Sequence, residues 1–338
     1  MKVVLTLLAR DEADIVESQV RYHLAGGVDF VIATDHRSVD GTAEILQQLE
    51  REGRLRYIRV DTDHVNQAEE VTRMARLAAT EHDADWVVPS DADEFWWPRR
   101  GSFHEVLGSI PAQVGVVRGF IRTFVPRPAD ARPFYERLTI SARPIEHQAG
   151  IYQPNVHVLH RAEPDIRVNR GFHDAFADGL GRLIRDWCPF EVLHFPSRTP
   201  DQIDRKYTNT YRAGFGAERG GKHVQASYRA LREVGVDELW KSRVVDDEKL
   251  EEGLRAGTYA VDERLRDVLR AIDRGQAPTF RLPTADEDGR FHDEVGSMRG
   301  RDIAARLLDS ARDAERRICS LEQRTARESP ARGPAGDR

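Results

Sequence analysis

Val3-Val4-Leu5-Thr6-Leu7-Leu8-Ala9-Arg10-Asp11-Glu12 opens the chain with six apolar positions in seven residues and then turns abruptly polar. An apolar run this short and this continuous is what a strand buried on both faces looks like, and such strands belong to parallel sheets covered by helices. The residues that follow support this. Ile15, Val16, Val20 and Leu24 recur at helical spacing, with Asp11 as the expected cap and Gly26-Gly27 as the stop. A second strand is predicted over 28–34, a helix around Ile45, Leu46 and Leu49, and a third strand over 55–60. A helix around Val71, Met74, Ala75 and Ala78 then leads to a short strand at Trp86-Val87-Val88-Pro89. Alternation of this kind predicts an α/β fold with a mostly parallel central sheet flanked by helices.

Three of these strands end in polar or acidic clusters: Arg10-Asp11-Glu12, the stretch 35–42, and Asp91-Ala92-Asp93-Glu94. In open α/β sheets ligands sit outside the carboxyl ends of the strands, so the three clusters define one expected nucleotide site. Asp91 and Asp93 leave a strand end on the same side. Two such carboxylates suit a hard divalent cation that keeps positions open for phosphate oxygens, Mg²⁺ or Mn²⁺. Asp-x-Asp alone is a weak signal, and its place after a buried strand strengthens it. In the stretch 35–42, Asp35 closes a strand and has the chemistry to accept hydrogen bonds from a base or ribose. Ser38, Asp40, Gly41 and Thr42 equally suffice for a capped turn that holds no ligand.

Taken in order, Leu8-Ala9-Arg10-Asp11-Glu12, residues 34–42, the helix carrying Asn66, Gln67 and Arg73, and residues 85–95 resemble the motifs of family 2 glycosyltransferases of the GT-A fold. Arg-Asp-Glu early and Asp-Ala-Asp-Glu-Phe later are similar to a bacterial subgroup related to family 92 enzymes. The resemblance implies a metal-dependent glycosyltransferase with a nucleotide-sugar donor, a UDP-sugar by preference. It implies a hydroxyl-bearing acceptor such as a cell-surface glycan or its precursor. Arg10, Asp11, Glu12, Asp35, Arg73, Asp91 and Arg198 are then expected at the donor, and Asp91, Asp93 and His194 at the metal. Arg198 and Lys206, just beyond His194, can each be read as a cation that neutralises the leaving diphosphate or equally as an ordinary surface cation. The Glu-Asp pair that supplies a general base in such enzymes has no clear counterpart, and Asp174 is the nearest substitute. Trp96 and Trp97 are readable as a sugar-stacking wall or as core aromatics.

Beyond residue 125 the pattern turns to strands over 114–124, 136–141, 156–160 and 190–195, with helices over 200–215 and after Asp237. The expected organisation is a catalytic domain over 1–282, divided into a nucleotide-binding half, 1–125, and an acceptor half, 126–282. A helical extension over 283–328 and a disordered tail over 329–338 follow. An apolar stripe in 301–324 (Ile303, Leu307, Ala311, Ala314, Ile318, Leu321) offers a packing face or a homo-oligomer contact.

The 338 residues carry a formal net charge of -6, which argues against general nucleic-acid affinity. Only Cys188 and Cys319 are present, so neither a disulfide framework nor a thiolate metal site is expected. No apolar run approaches a membrane span, and a cytoplasmic location is the expectation. A sugar-phosphate nucleotidyltransferase shares the architecture but opens with a glycine-rich loop, which Arg10-Asp11-Glu12 is not. A non-catalytic binding protein of the same fold is the reading from a different class. An Asp-x-Asp phosphatase fits poorly, since Glu94-Phe95-Trp96 follows the acids.

Overall fold

The computed structural model describes residues 1–62, 66–142, 156–183, 187–212 and 222–296. The stripe in 301–324 and the segment 329–338 lie outside the described residues. The elements over the first hundred positions are β1 (Val3–Ala9), α1 (Val16–Ala25), β2 (Phe30–His36), α2 (Thr42–Arg51), β3 (Leu55–Val60), α3 (Gln67–Glu81), β4 (Trp86–Asp91) and β5 (Glu94–Pro98). Then come α4 (Phe103–Gly108), β6 (Val114–Thr123), α5 (Phe134–Arg137), β7 (Ile140–Ala142), β8 (Val156–Arg161), β9 (Arg167–Val168), β10 (Ala175–Phe176), β11 (Arg182–Leu183) and β12 (Phe190–His194). The last named elements are α6 (Pro200–Thr210), α7 (Lys222–Arg243), α8 (Asp247–Ala256), β13 (Tyr259–Val261) and α9 (Arg264–Asp273), and residues 285–296 are helical.

The main sheet runs β3-β2-β1-β4-β8-β6-β12-β5, with β11 added beside β6. β1, β2, β3 and β4 are mutually parallel, as are β6 and its neighbours β11 and β12; β8 and β5 run antiparallel. The fold is therefore mixed α/β with a mostly parallel sheet between helices, as the alternation predicts.

Strand periodicity divides the core in two. Val3, Leu5, Leu7 and Ala9 point to the face covered by α1 and α2, together with Val31, Ala33 and Val88. Val4, Ile32 and Val87 point to the other face, where α3 supplies Val71, Met74, Ala75 and Ala78. Both faces of β1 are thus apolar because both are covered.

The structure departs from the sequence reading in several places. Glu94-Phe95-Trp96-Trp97-Pro98 is a buried strand where the sequence reading had no strand, and of the two readings of Trp96 and Trp97 it favours core aromatics. Trp96 lies over Gly119, where a Cβ would meet its ring at 2.5 Å. Both tryptophans are core residues, so the sugar-wall reading is wrong. Asp11 does not cap α1, whose N-cap is Ile15. The strand expected over 136–141 is split into α5 and β7. The region after Asp237 is helical as expected, in the end of α7, in α8 and in α9, but α7 begins earlier, at Lys222, and is interrupted at Gly235 (φ +81°).

Two histidines belong to the packing. His23 is fully buried; its Nε2 accepts from the Trp96 N–H (3.0 Å), and its Nδ1 donates to the Gln19 carbonyl (2.8 Å). Burial pushes both His23 and His160 down to about 4. A base whose folded pKa lies below its unfolded value near 6.5 stabilises the fold fully above that value. The contribution is lost as pH falls through the folded pKa. Each histidine is expected to remove roughly 2–3 kcal/mol between pH 7 and pH 4.5. Denaturant unfolding of His23→Gln at both values checks this: the acid slope should flatten, and an unchanged slope would refute it.

Candidate active site

Strand order β3-β2-β1-β4 reverses direction between β1 and β4, and that switch point is where an open α/β sheet leaves a crevice. Register puts the relevant strand ends level: Ala9 beside Asp35, and Leu8 beside both Thr34 and Asp91. Asp11, Asp35, Asp91 and Asp93 therefore share one edge of the sheet.

Asp11 sits at φ +55°, a conformation that aspartate tolerates better than most residues. The stretch 38–42 holds it there. The Asp11 N–H donates to Ser38 Oγ (2.9 Å), the Glu12 N–H to Thr42 Oγ1 (2.8 Å) and the Ala13 N–H to Asp40 Oδ2 (3.1 Å). Asp11 Oδ1 accepts from the Val39 N–H (2.8 Å), and Oδ2 accepts from Asn209 on α6. Ser38, Asp40 and Thr42 thus bind backbone of the neighbouring loop, while the N-cap of α2 is Gly41 in the left-handed region. Asp35 is fully buried, and its carboxylate accepts from the Ser38 N–H (3.0 Å), Tyr57 Oη (3.0 Å) and Arg59 (3.2 Å).

Asp93 is the electrostatic centre. Its Oδ2 contacts Lys206 Nζ directly, and His194 Nε2 and Arg198 Nη1 lie 3.7 Å and 3.9 Å away. Burial alone would raise this carboxyl, but Lys206, His194 and Arg198 hold it well below the ordinary range. Asp91 behaves oppositely: burial and the neighbouring charges of Glu94 and Asp93 push it well above that range. Its carboxylate makes no hydrogen bond or ion pair among the described residues. Glu94 Oε2 accepts from the Asp91 N–H (3.1 Å) and lies 3.3 Å from His157 Nδ1, which fixes the turn between β4 and β5.

The structure brings together Asp11, Glu12, Asp91, Asp93, His194 and Arg198. Arg198 is fully buried; it bonds Glu12, Asp14 (2.7 and 2.9 Å) and the Phe195 carbonyl (3.1 Å), and so straps the β1 loop to the segment after β12. Arg10 reaches His36 Nδ1 (3.2 Å) beside Asp35. Two other sequence candidates stand apart. Arg73 pairs with Glu70 one turn back on α3. Asp174 bonds the Ala175 N–H (3.0 Å) between β9 and β10 and has no bond to Asp91, Asp93 or His194 among the described residues.

Asp14, His157 and Asn209 were not legible as site residues, and Glu94 was legible only as a member of the acidic cluster, not as the partner of His157. A signal did exist on α6: Gln202, Lys206 and Asn209 recur at helical spacing on one face and reach Arg198, Asp93 and Asp11 in turn. A cavity of about 670 Å³ lined by Trp187, Phe280 and Phe291 lies at the opposite, Phe190 end of β12 and includes none of these acids.

No protein-family profile matches the sequence, and no curated protein matches it. Solved structures with some likeness include Staphylococcus aureus TarS, residues 1–349, in complex with UDP. It is 13% identical, with 85% of this chain and 95% of that one covered, at a TM-score of 0.36. The same protein in complex with UDP-GlcNAc is 12% identical, with 89% and 92% covered and a TM-score of 0.36. Glucosyl-3-phosphoglycerate synthase from Mycobacterium tuberculosis, in complex with Mn²⁺, UDP and phosphoglyceric acid, is 20% identical at a TM-score of 0.27. That likeness covers 36% of this chain and 43% of the synthase. TM-scores this low leave the function to be read from the site's own geometry. No helix among the described residues is long and apolar enough to cross a membrane.

Proposed function

We propose that the protein transfers a sugar from a nucleotide-sugar donor to a hydroxyl-bearing acceptor, with a divalent cation at Asp91 and Asp93. The observation that carries this reading is the convergence of Asp11, Asp91, Asp93, His194 and Lys206 at the switch point between β1 and β4. A diphosphate entering there meets both a carboxylate pair suited to a cation and an ammonium group of its own.

The donor set fits Mn²⁺ or Mg²⁺ in kind. Asp91 has an uncommitted carboxylate, Asp93 stands beside it, and the His194 imidazole, 3.7 Å from Asp93, favours Mn²⁺. Among the described residues no three such side chains already stand in a metal-holding arrangement, and Asp93 faces Lys206. Bound there, the cation supplies Lewis-acid stabilisation of the diphosphate as the sugar–phosphate bond breaks. The chain supplies the rest. Glu94 and His157 fix the Asp91–Asp93 turn, Arg198 holds the two flanking loops together, and Asp11 with Asn209 closes α6 over the crevice. Asp174 stays the candidate base on sequence resemblance only.

Thermal shift with UDP, GDP, CDP and dTDP, each with Mn²⁺, Mg²⁺ or a chelator, tests the reading. A ligand at a hundredfold excess over its Kd adds about 2.7 kcal/mol of stability. One diphosphate is expected to raise the melting temperature and to lose most of that effect on chelation. No shift with any of the four would overturn the proposal.

A further inference from the structure

We infer that Lys206 is an exchangeable counterion: it neutralises Asp93 while the site is empty and passes to the donor's diphosphate when the nucleotide binds, so that Asp93 accepts its metal only in the nucleotide's company. The inference rests on the donor and metal reading above and adds an order of events to it.

Three basic side chains, Arg198, His194 and Lys206, face Asp93, and they differ in freedom. Arg198 is fully buried, with its guanidinium divided among Glu12, Asp14 and the Phe195 carbonyl, so it cannot follow a ligand. His194 is the last residue of β12, held in register against Glu94 and Thr123. Lys206 has a flexible four-carbon stem, its side chain is 30% exposed, and Asp93 is the one acid it contacts among the described residues, with Glu12 attracting it from further off. It rides on α6, whose next turn places Asn209 on Asp11 across the same crevice.

An ammonium in contact with Asp93 Oδ2 blocks that oxygen as a ligand and repels a divalent ion across a short distance. A diphosphate changes the balance, because it offers Lys206 several anionic oxygens at once. Nucleotide and metal then favour one another, and the coupling must be equal in both directions.

The test is Mn²⁺ uptake, read from the loss of the free-ion EPR signal, in wild type, Lys206→Met, Lys206→Gln and Asp93→Asn, each with and without UDP. GDP, CDP and dTDP run in parallel. Asp93→Asn with nucleotide corrects for Mn²⁺ held by the nucleotide alone. Wild type is expected to bind Mn²⁺ at least about tenfold more tightly with the diphosphate than without it. Both Lys206 variants are expected to bind Mn²⁺ at least about tenfold more tightly than wild type in the absence of nucleotide, with the coupling reduced by the same factor to what direct contact between the cation and the diphosphate supplies. The two substitutions differ in polarity, so a folding defect in one leaves the other to decide. Nucleotide-independent uptake by wild type, or Lys206 variants that keep the wild-type coupling, would overturn the counterion role while leaving the metal reading standing. No uptake by wild type with any of the four diphosphates would remove both.

Discussion

Asp93→Asn is expected to weaken Mn²⁺-dependent binding of the nucleoside diphosphate at least about hundredfold, the equivalent of roughly 2.7 kcal/mol. Under the proposed function Asp93 contributes one of two carboxylates to the cation, and asparagine keeps the shape while removing the charge that holds it. The fold should tolerate the change. Arg198 keeps Glu12 and Asp14 as partners, and the part-exposed Lys206 ammonium can turn to water. Removing one partner is severe when the other charge is left buried and unpaired, which is not the case here. Calorimetric titration with UDP in Mn²⁺ and in chelator separates the two effects, alongside a thermal melt of the variant alone. Undiminished Mn²⁺-dependent affinity in the variant would sink the metal role of Asp93. A melting temperature lowered by tens of degrees would show instead that the residue is chiefly structural.

The parts of this arrangement visible in the sequence are those written in local periodicity. The run 3–8, the helical spacing of Ile15, Val16 and Val20, and the placement of Asp91 at a strand end follow from burial on two faces and from chain reversal. The fold class and the shared edge of three clusters could be read from them. What could not be read depends on long-range partners. Lys206 lies 113 positions from Asp93, and Asn209 lies 198 from Asp11. Nothing near either residue announces its partner. β5 was missed for another reason: Phe95-Trp96-Trp97 has no period-2 alternation because both faces of that strand are buried, and the acids before it read as a loop. Ser38, Asp40 and Thr42 were ambiguous between cap and ligand site because hydroxyl and carboxylate oxygens serve either purpose. Only the fold shows that they satisfy the backbone of residues 11–13.

The largest stability effect is expected at Glu191, three residues before His194 on β12. This carboxylate is 1% exposed and accepts from three guanidiniums: Arg99 (2.9 Å), Arg122 (2.6 Å) and Arg264 (2.9 and 3.4 Å). Burial would raise it, but Arg264, Arg122 and Arg99 hold it well below the usual carboxylate range. Its contribution is therefore present above that range and is lost only as pH falls beneath it. The arginines reach outward to Asp262, Asp288 and Glu294, so the cluster joins β5, β6, β12 and α9 to the helix over 285–296. Glu191→Gln leaves three buried guanidiniums around a neutral amide. Breaking a buried pair typically costs 3–5 kcal/mol, and the outer acids soften this, so a loss of about 3 kcal/mol is expected. The part-exposed pair Arg281–Glu287 provides the contrast, and Glu287→Gln should cost less than about 1 kcal/mol. Denaturant unfolding of both variants makes the comparison, and limited proteolysis supplies a second readout. Glu191→Gln should become cleavable near residues 283–296, because that helix loses the charge that fixes Arg99 and Arg122 beneath Asp288 and Glu294. Equal losses in the two variants would mean that the guanidiniums are well solvated and that the Glu191 cluster does not hold the extension to the sheet.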